Sequence, residues 1–514
     1  MFTYVYDPHG NVTTASDSET GTATMQYDPS DRLTKITYPT GRGFTFAYDA
    51  YGRLATRTSL DGAVERFAYD ASGRLASVSD GNGATYLQNT YDATTGRLTK
   101  QVNGNGTSIS YLYDKLGRVV SIEHRGADGN ITESLQYCYD ADGRCIRAAS
   151  LFGEERYTYD KDGQLTAVDY PEIEDETFAY DAVGNRKTAN GATYSVNNLN
   201  QYTTVSGGPN PVSAITYDRD GNLTSLTDAN GTTTYTYDTL NRLVAVKNAA
   251  KGIDWSCQYD VFGNRVSVTD NGVTTERTYL QGSLPSVAAE YVNGQLKERH
   301  IVVGAVRVAD VTGTTGVSPV DSESTHYYHA DLIGSTRLVT DGNGTIIDRR
   351  AYKAFGETRV GGDSDTSVGY VGTLGVETDS TGLLFMRNRY YSPELGRFIQ
   401  ADLIGLNGGD INMSRYCRNA PIQSIDPVGY YQATGIQAAP IEPTPKPGWS
   451  VGGMVGLVGF QFGKNENGEW GAGLLYGATV GPDLHISISG PLPMTATTCT
   501  GGAVTAIIGI CAFS

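Results

Sequence analysis

One short motif, copied along the first half of the chain, limits what this sequence can fold into. It reads Tyr-Asp, two or three residues, Gly or Asn, Arg or Asn, then an aliphatic. Copies begin at Tyr6, Tyr27, Tyr48, Tyr69, Tyr91, Tyr113, Tyr139, Tyr159, Tyr180, Tyr217, Tyr237 and Tyr259, with a degenerate copy, YSVNNLNQY, at Tyr194. Most steps are 20 to 23 residues, and the longer step from Tyr113 to Tyr139 is read as a loop insertion. Alternation such as Thr-Tyr-Thr-Tyr ahead of Asp238 has the period of a strand. The Asp caps the following turn through its own side chain, and Gly or Asn at the next key place tolerates φ > 0. Each unit is then a β-hairpin that cannot bury a face alone and must stack on its neighbours. The expectation is an all-β chain with no helix of any length in the repeats, and with the aliphatic of each copy more buried than its Asp.

Composition supports this reading. Of 514 residues 63 are Gly and 35 are Tyr, while only 39% are hydrophobic. Gly serves turns, and Tyr packs its ring on a strand while keeping its hydroxyl wet. The formal charge of −17 argues against nucleic acid bound through this surface, which would need a basic footprint. Six cysteines (Cys138, Cys145, Cys257, Cys417, Cys499, Cys511) form neither a disulfide framework nor a C-x-x-C metal pattern, and no cofactor is expected. Met1 opens directly into TYVYDPHGNV without the basic and apolar regions of a secretory signal. No apolar run reaches the length of a spanning helix.

The chain divides into five stretches: repeats over 1–280, an irregular bridge over 281–325, a singular segment over 326–430, a Pro-rich linker over 431–448 and a Gly-rich tail over 449–514. The singular segment opens on YYHADLIGSTRLVTDGNG, continues through YKAFGE and RNRYYSPELGRF, and closes on NAP and DPVG. The repeats resemble the YD repeats of RHS proteins, of the C components of insecticidal Tc toxin complexes and of teneurins. The segment resembles the RHS repeat-associated core, departing from it at Ala354, where family members usually carry Pro. The resemblance implies a β-hairpin sheet that spirals into a hollow shell, in whole or in part, closed by the core. Thirteen copies are fewer than a full shell carries, which implies a second shell component or a native start upstream of Met1.

In that family the core is similar to an aspartic protease that cuts its own chain once, just after D-P-x-G-x. Carried over, Asp402 and Asp426 match the catalytic aspartates, Arg389 matches the accompanying arginine, and the cut falls at or beside Tyr430–Tyr431. The chemistry is sound on its own terms. Two close carboxylates cannot easily both ionise, so one deprotonates water while the other protonates the amide. A nearby arginine can orient one carboxylate or bind the developing oxyanion. The plainer reading is that D-P-V-G is a turn and that Asp402 caps another. Many cleaving members carry Leu where this chain has Tyr430. His326 and His329 fall on an apparent strand and are assigned to the fold.

The tail reads as a Gly-rich hairpin across SVGGMVGLVGFQFG and EWGAGLLYGATVG, followed by a third strand, DLHISISG, and an uncharged end. It offers no recognisable active site. A membrane-perturbing peptide, a small β module with a Cys499–Cys511 bridge and an uncharacterised toxin all stay open. The resemblance implies a bacterial toxin-delivery shell, secreted or surface-borne by a specialised route, that encloses and releases its tail in interbacterial or host-directed antagonism. Its implied partners are the tail as cargo, a second shell component and an immunity protein. The alternative is a non-catalytic surface protein whose repeats bind carbohydrate or protein.

Overall fold

The structure, a computed structural model, describes residues 1–282, 284–312, 325–362, 364 and 366–430, and the backbone of 433–434, 459–464 and 470–475. Its main feature is one 33-stranded sheet running from Phe2–Tyr6 to Ile346–Arg349. Each strand pairs antiparallel with its neighbour in sequence, so the whole sheet is a single meander. The two end strands do not pair with each other, and the sheet is not a closed barrel. The described residues contain no α-helix, only short 3₁₀ turns.

The repeat explains itself residue by residue. In the third copy, Asp49 Oδ1 accepts the backbone N–H of Tyr51 and of Arg53, both at 2.9 Å, and Oδ2 accepts Arg53 Nε at 2.7 Å. Gly52 turns the chain at φ 81°, and its N–H returns to the Asp49 carbonyl. Where Gly is missing, Asp31, Asn200 and Asn241 take the same left-handed conformation, as residues with short polar side chains can. The arginine then leans over the tyrosine of the next copy. Arg53 lies 4.3 Å from the Tyr69 ring centroid, with the same stacking at Arg32–Tyr48, Arg74–Tyr91, Arg118–Tyr139 and Arg242–Tyr259.

The tyrosine hydroxyls differ from the sequence expectation. They are not left to solvent but reach back one copy to a backbone carbonyl: Tyr48 to Leu33, Tyr69 to Leu54, Tyr113 to Leu98, Tyr180 to Leu165. The reason is geometric. A register shift just before each tyrosine kinks the strand and directs the ring along the sheet, toward the preceding hairpin. The aliphatics follow expectation, with Leu75 and Leu165 fully buried beside half-buried Asp70 and Asp160; Leu33, near the start of the sheet, is only half-buried.

Residues 286–312 are more regular than a bridge. They form three long strands, Ser286–Val292, Gln295–Val303 and Val306–Thr312, in the same sheet. They lack the Tyr-Asp signature, and over 286–291, 300–303 and 307–311 the alternating burial of the repeats gives way to continuous burial. The sheet coils until strands some 240 residues apart meet. Tyr38 donates to the Tyr279 carbonyl, Arg57 to that of Val302, and Asn105 to Thr340. Leu54, Phe67, Leu75 and Val78 share one core with Ile301, Val303 and Val308.

Residues 372–430 lie against this coil as short strands and turns. A four-stranded sheet, Glu377–Thr378, Leu384–Met386, Arg389–Ser392 and Arg397–Phe398, packs Leu383, Phe385 and Tyr390 onto Trp255 and Tyr259 of the repeats. Buried Arg265 binds Glu377 and Asp379, and Arg277 shares Glu377 at 2.7 Å. In the tail, Gly459–Lys464 and Trp470–Leu475 pair as an antiparallel hairpin. The third strand and the Cys499–Cys511 bridge lie outside the described residues.

Candidate active site

Three chain segments build the site. The first is a tight hairpin in which Met386 pairs with Arg389, so Arg387 and Asn388 form its turn. Arg387 takes φ 57°, a conformation costly for a side chain of its size. It is held there because its guanidinium donates to three carbonyls, those of Pro285, Leu374 and Pro427. Burial pulls the Arg387 pKa down to about 10, and Tyr279 and Glu377 only partly oppose it. Arg389 starts the return strand, with its side chain stacked 3.7 Å from the Phe398 centroid.

The second segment carries Asp402. Its backbone pairs with Met413, its Oδ1 accepts the Ile404 N–H at 3.0 Å, and a 3₁₀ turn, Gly405–Gly408, follows. Burial raises the Asp402 carboxyl above its ordinary range; Arg389 opposes the rise and Asp410 adds to it. The third segment is a hairpin whose sides, Ser424–Ile425 and Ala433–Thr434, pair across an intervening loop. Asp426 opens that loop. Its Oδ1 accepts the N–H groups of Gly429 at 2.8 Å and Tyr430 at 3.0 Å.

Arg389 joins the segments. One nitrogen, Nη2, lies 3.1 Å from Asp402 Oδ2 and 3.3 Å from Asp426 Oδ2, so these oxygens are no more than 6.4 Å apart. Nη1 donates to the Met413 carbonyl and Nε to that of Gly429. All three side chains are under a tenth exposed. A cavity of about 30 Å³ opens beside them, lined also by Gly408, Asp410, Met413 and Tyr430. That is room for a water or two in polar surroundings. The sequence-derived residues Asp402, Asp426, Arg389 and Tyr430 thus meet at one place; Tyr431 lies outside the described residues.

Sequence reasoning missed Gly408. A Cβ there would lie 2.8 Å from Asp402 Oδ2 and 3.2 Å from the Tyr430 carbonyl oxygen, which are therefore within 6.0 Å of each other. Only glycine leaves the space between carboxylate and carbonyl open. Gly429 is constrained differently: its φ is 76°, and a Cβ would strike the Met386 carbonyl at 2.7 Å.

With the geometry in view, comparison with known proteins is informative. The teneurin YD-shell family matches residues 1–124 and 106–248. Double-stranded DNA deaminase toxin A of Burkholderia cenocepacia is 28% identical over 375 residues, 65% of this chain and 25% of that protein. Toxin subunit YenC1 of Yersinia entomophaga is 27% identical over 414 residues, 66% of this chain and 42% of its own length. The tRNA3(Ser)-specific nuclease WapA of Bacillus spizizenii is 25% identical over 352 residues, 65% of this chain and 14% of that protein. The chain therefore spans between 14% and 42% of the length of these bacterial relatives. The crystal structure of TcdB2-TccC3 superposes with a TM-score of 0.55 at 21% identity, covering 82% of this chain and 24% of that one. The Tc holotoxin pore of Photorhabdus luminescens gives 0.53 at 19%, covering 86% and 28%. Fold and repeat define a coiled YD-repeat sheet protein. Taken with its relatives, the chain is similar to RHS/YD-repeat toxin proteins.

Proposed function

We propose that this chain is the shell of a bacterial toxin-delivery protein that cuts its own backbone after Tyr430 and so frees the tail it encloses. The observation that carries the reading is a single arginine nitrogen shared by two buried carboxylates beside the Tyr430 carbonyl. Adhesion at the surface does not require a carboxylate pair placed beside a peptide carbonyl. The toxin names of the relatives also favour delivery over adhesion.

The two aspartates suit different roles. Asp426 receives three donors, two backbone N–H groups and Arg389, as an ionised acceptor does. Asp402 receives fewer and is pushed toward its neutral form by burial. Water in the cavity gives a proton to Asp426 and adds through oxygen to the Tyr430 carbonyl carbon, while Asp402 gives its proton to the carbonyl oxygen. The resulting diol returns a hydroxyl proton to Asp402. The C–N bond then breaks as Asp426 passes its proton to the leaving nitrogen, leaving a carboxyl on Tyr430 and an amine on Tyr431. Arg389 stays charged and limits repulsion between the carboxyls. Because bond and catalyst share one chain, proximity supplies much of the rate.

Mass spectrometry of freshly purified protein tests this, with two pieces expected, one ending at Tyr430 and one beginning at Tyr431. Asp402→Asn and Asp426→Asn should each leave a single folded chain, since an amide cannot cycle the proton. Wild-type protein that stays whole through long incubation at mildly acidic pH would overturn the reading. Both Asn variants cut as wild type would assign the cut to an outside protease. The released cargo, its target, a second shell component and an immunity protein belong to the same proposal. Its toxin class follows from the relatives, not from any site in the tail.

A further inference from the structure

Three consecutive residues of the 386–389 hairpin hold three consecutive carbonyls of the D-P-V-G loop. Arg387 Nη1 donates to Pro427 O at 2.6 Å. Asn388 donates to Val428 O twice, from Nδ2 at 2.9 Å and from its backbone N–H at 3.2 Å. Arg389 Nε donates to Gly429 O. From the other side, Asp426 Oδ1 takes the N–H groups of Gly429 and Tyr430. The next carbonyl in the series, that of Tyr430, stands across the Gly408 gap from Asp402.

We infer that the bond to be cut is chosen by counting backbone carbonyls, with Arg387, Asn388 and Arg389 as the ruler, and not by recognising the side chains of the Tyr430–Tyr431 pair. Every contact in the series is to main-chain oxygen, so the ruler accepts any residue able to adopt the loop. Such contacts fix register and carry no side-chain information. Gly429 is the exception, because its backbone lies against the turn itself. Asn388 and Arg387 are positioning residues on this view; they touch the substrate strand one and two carbonyls ahead of the last one held. The idea rests on the self-cleavage proposed above.

Inserting one alanine between Gly429 and Tyr430 tests it in the full chain. The insertion falls in the loop between paired strands, where the held carbonyls are undisturbed. The ruler places the alanine carbonyl at Asp402, so the freed piece should begin at Tyr430 and be one residue longer than the wild-type piece. A freed piece still beginning at Tyr431, or no cut at all, would overturn the ruler while cleavage of the wild type keeps the protease reading. An uncut wild type removes the protease reading itself. As a second variant, Asn388→Ala should release pieces with mixed N-termini, a cut one bond away joining the normal one. A purely structural role would change the yield and not the bond; a single unshifted N-terminus at the wild-type rate would count against the ruler.

Discussion

At the scale of single residues, the site depends on what is absent as much as on what is present. Gly408→Ala would put a methyl 2.8 Å from the Asp402 carboxylate, inside the space a water must cross. Gly408 has an ordinary backbone conformation, so alanine should fold well, and the melting temperature should change little. Misplacement of this size is expected to slow self-cleavage about 100-fold, read as the half-time of conversion to two pieces. The pH dependence follows from Asp402. Its raised pKa keeps the neutral form present above the usual carboxylate range. Cleavage should therefore fall as pH rises through that raised value. The same sign holds for folding: a carboxyl raised in the native state contributes most stability below its unfolded pKa and loses it as pH rises through the folded one. A time course from pH 4 to 8 checks this, and a rate that climbed steadily over that range would remove Asp402 as the proton donor.

At the scale of the element, the hairpin copy is held to its neighbour by two side chains that the motif supplies in fixed order. The arginine at the end of one turn covers the tyrosine that opens the next, and that tyrosine bonds back to the carbonyl after the arginine. Tyr69→Phe removes only the hydroxyl, leaving Leu54 O without that donor and the ring under Arg53 in place. A loss of about 1 kcal/mol is expected, visible as a shift in the urea midpoint without a change in slope. Much of this was legible in the sequence, because strand, polar cap and turn recur in register in thirteen copies, most of them with a turn glycine and a return aliphatic. The Arg–Tyr stacking was readable too, in retrospect, since both residues keep their places in most copies. The carbonyl ruler was not. Arg387-Asn388-Arg389 and Pro427-Val428-Gly429 lie 40 positions apart, and backbone acceptors leave no trace in residue type. Gly408 was hidden for a similar reason: one glycine among 63 does not announce which neighbour requires its space. The strands of 286–312 fall in the stretch read as an irregular bridge, because the motif ends before the sheet does.

At the scale of the whole molecule, the singular segment is bound to the coil by charge as well as by packing. Arg265 is wholly buried between Glu377 and Asp379, with Trp255, Phe385 and Tyr390 around it. Arg265→Met would leave two acidic groups facing an apolar side chain, with Arg277 compensating only Glu377. A cost of about 3–5 kcal/mol is expected for a broken buried network. Double substitution with Asp379→Asn should restore part of it, as a thermal melt of the variants would reveal. The meander also has a temporal meaning. Since every strand of the main sheet takes its backbone pairing from its neighbour in sequence, the sheet can lengthen hairpin by hairpin as the chain leaves the ribosome, before the contacts between distant strands form. The cutting machinery does not share that freedom. Gln400 bonds to Asn241, Arg397 to Asn200, and Asn412 and Asn419 to residues 164–185, so the aspartates are framed only when the repeats behind them have already folded. The proposed scissors are thus set only on repeats that have already folded, and a cut would report that those repeats are in place.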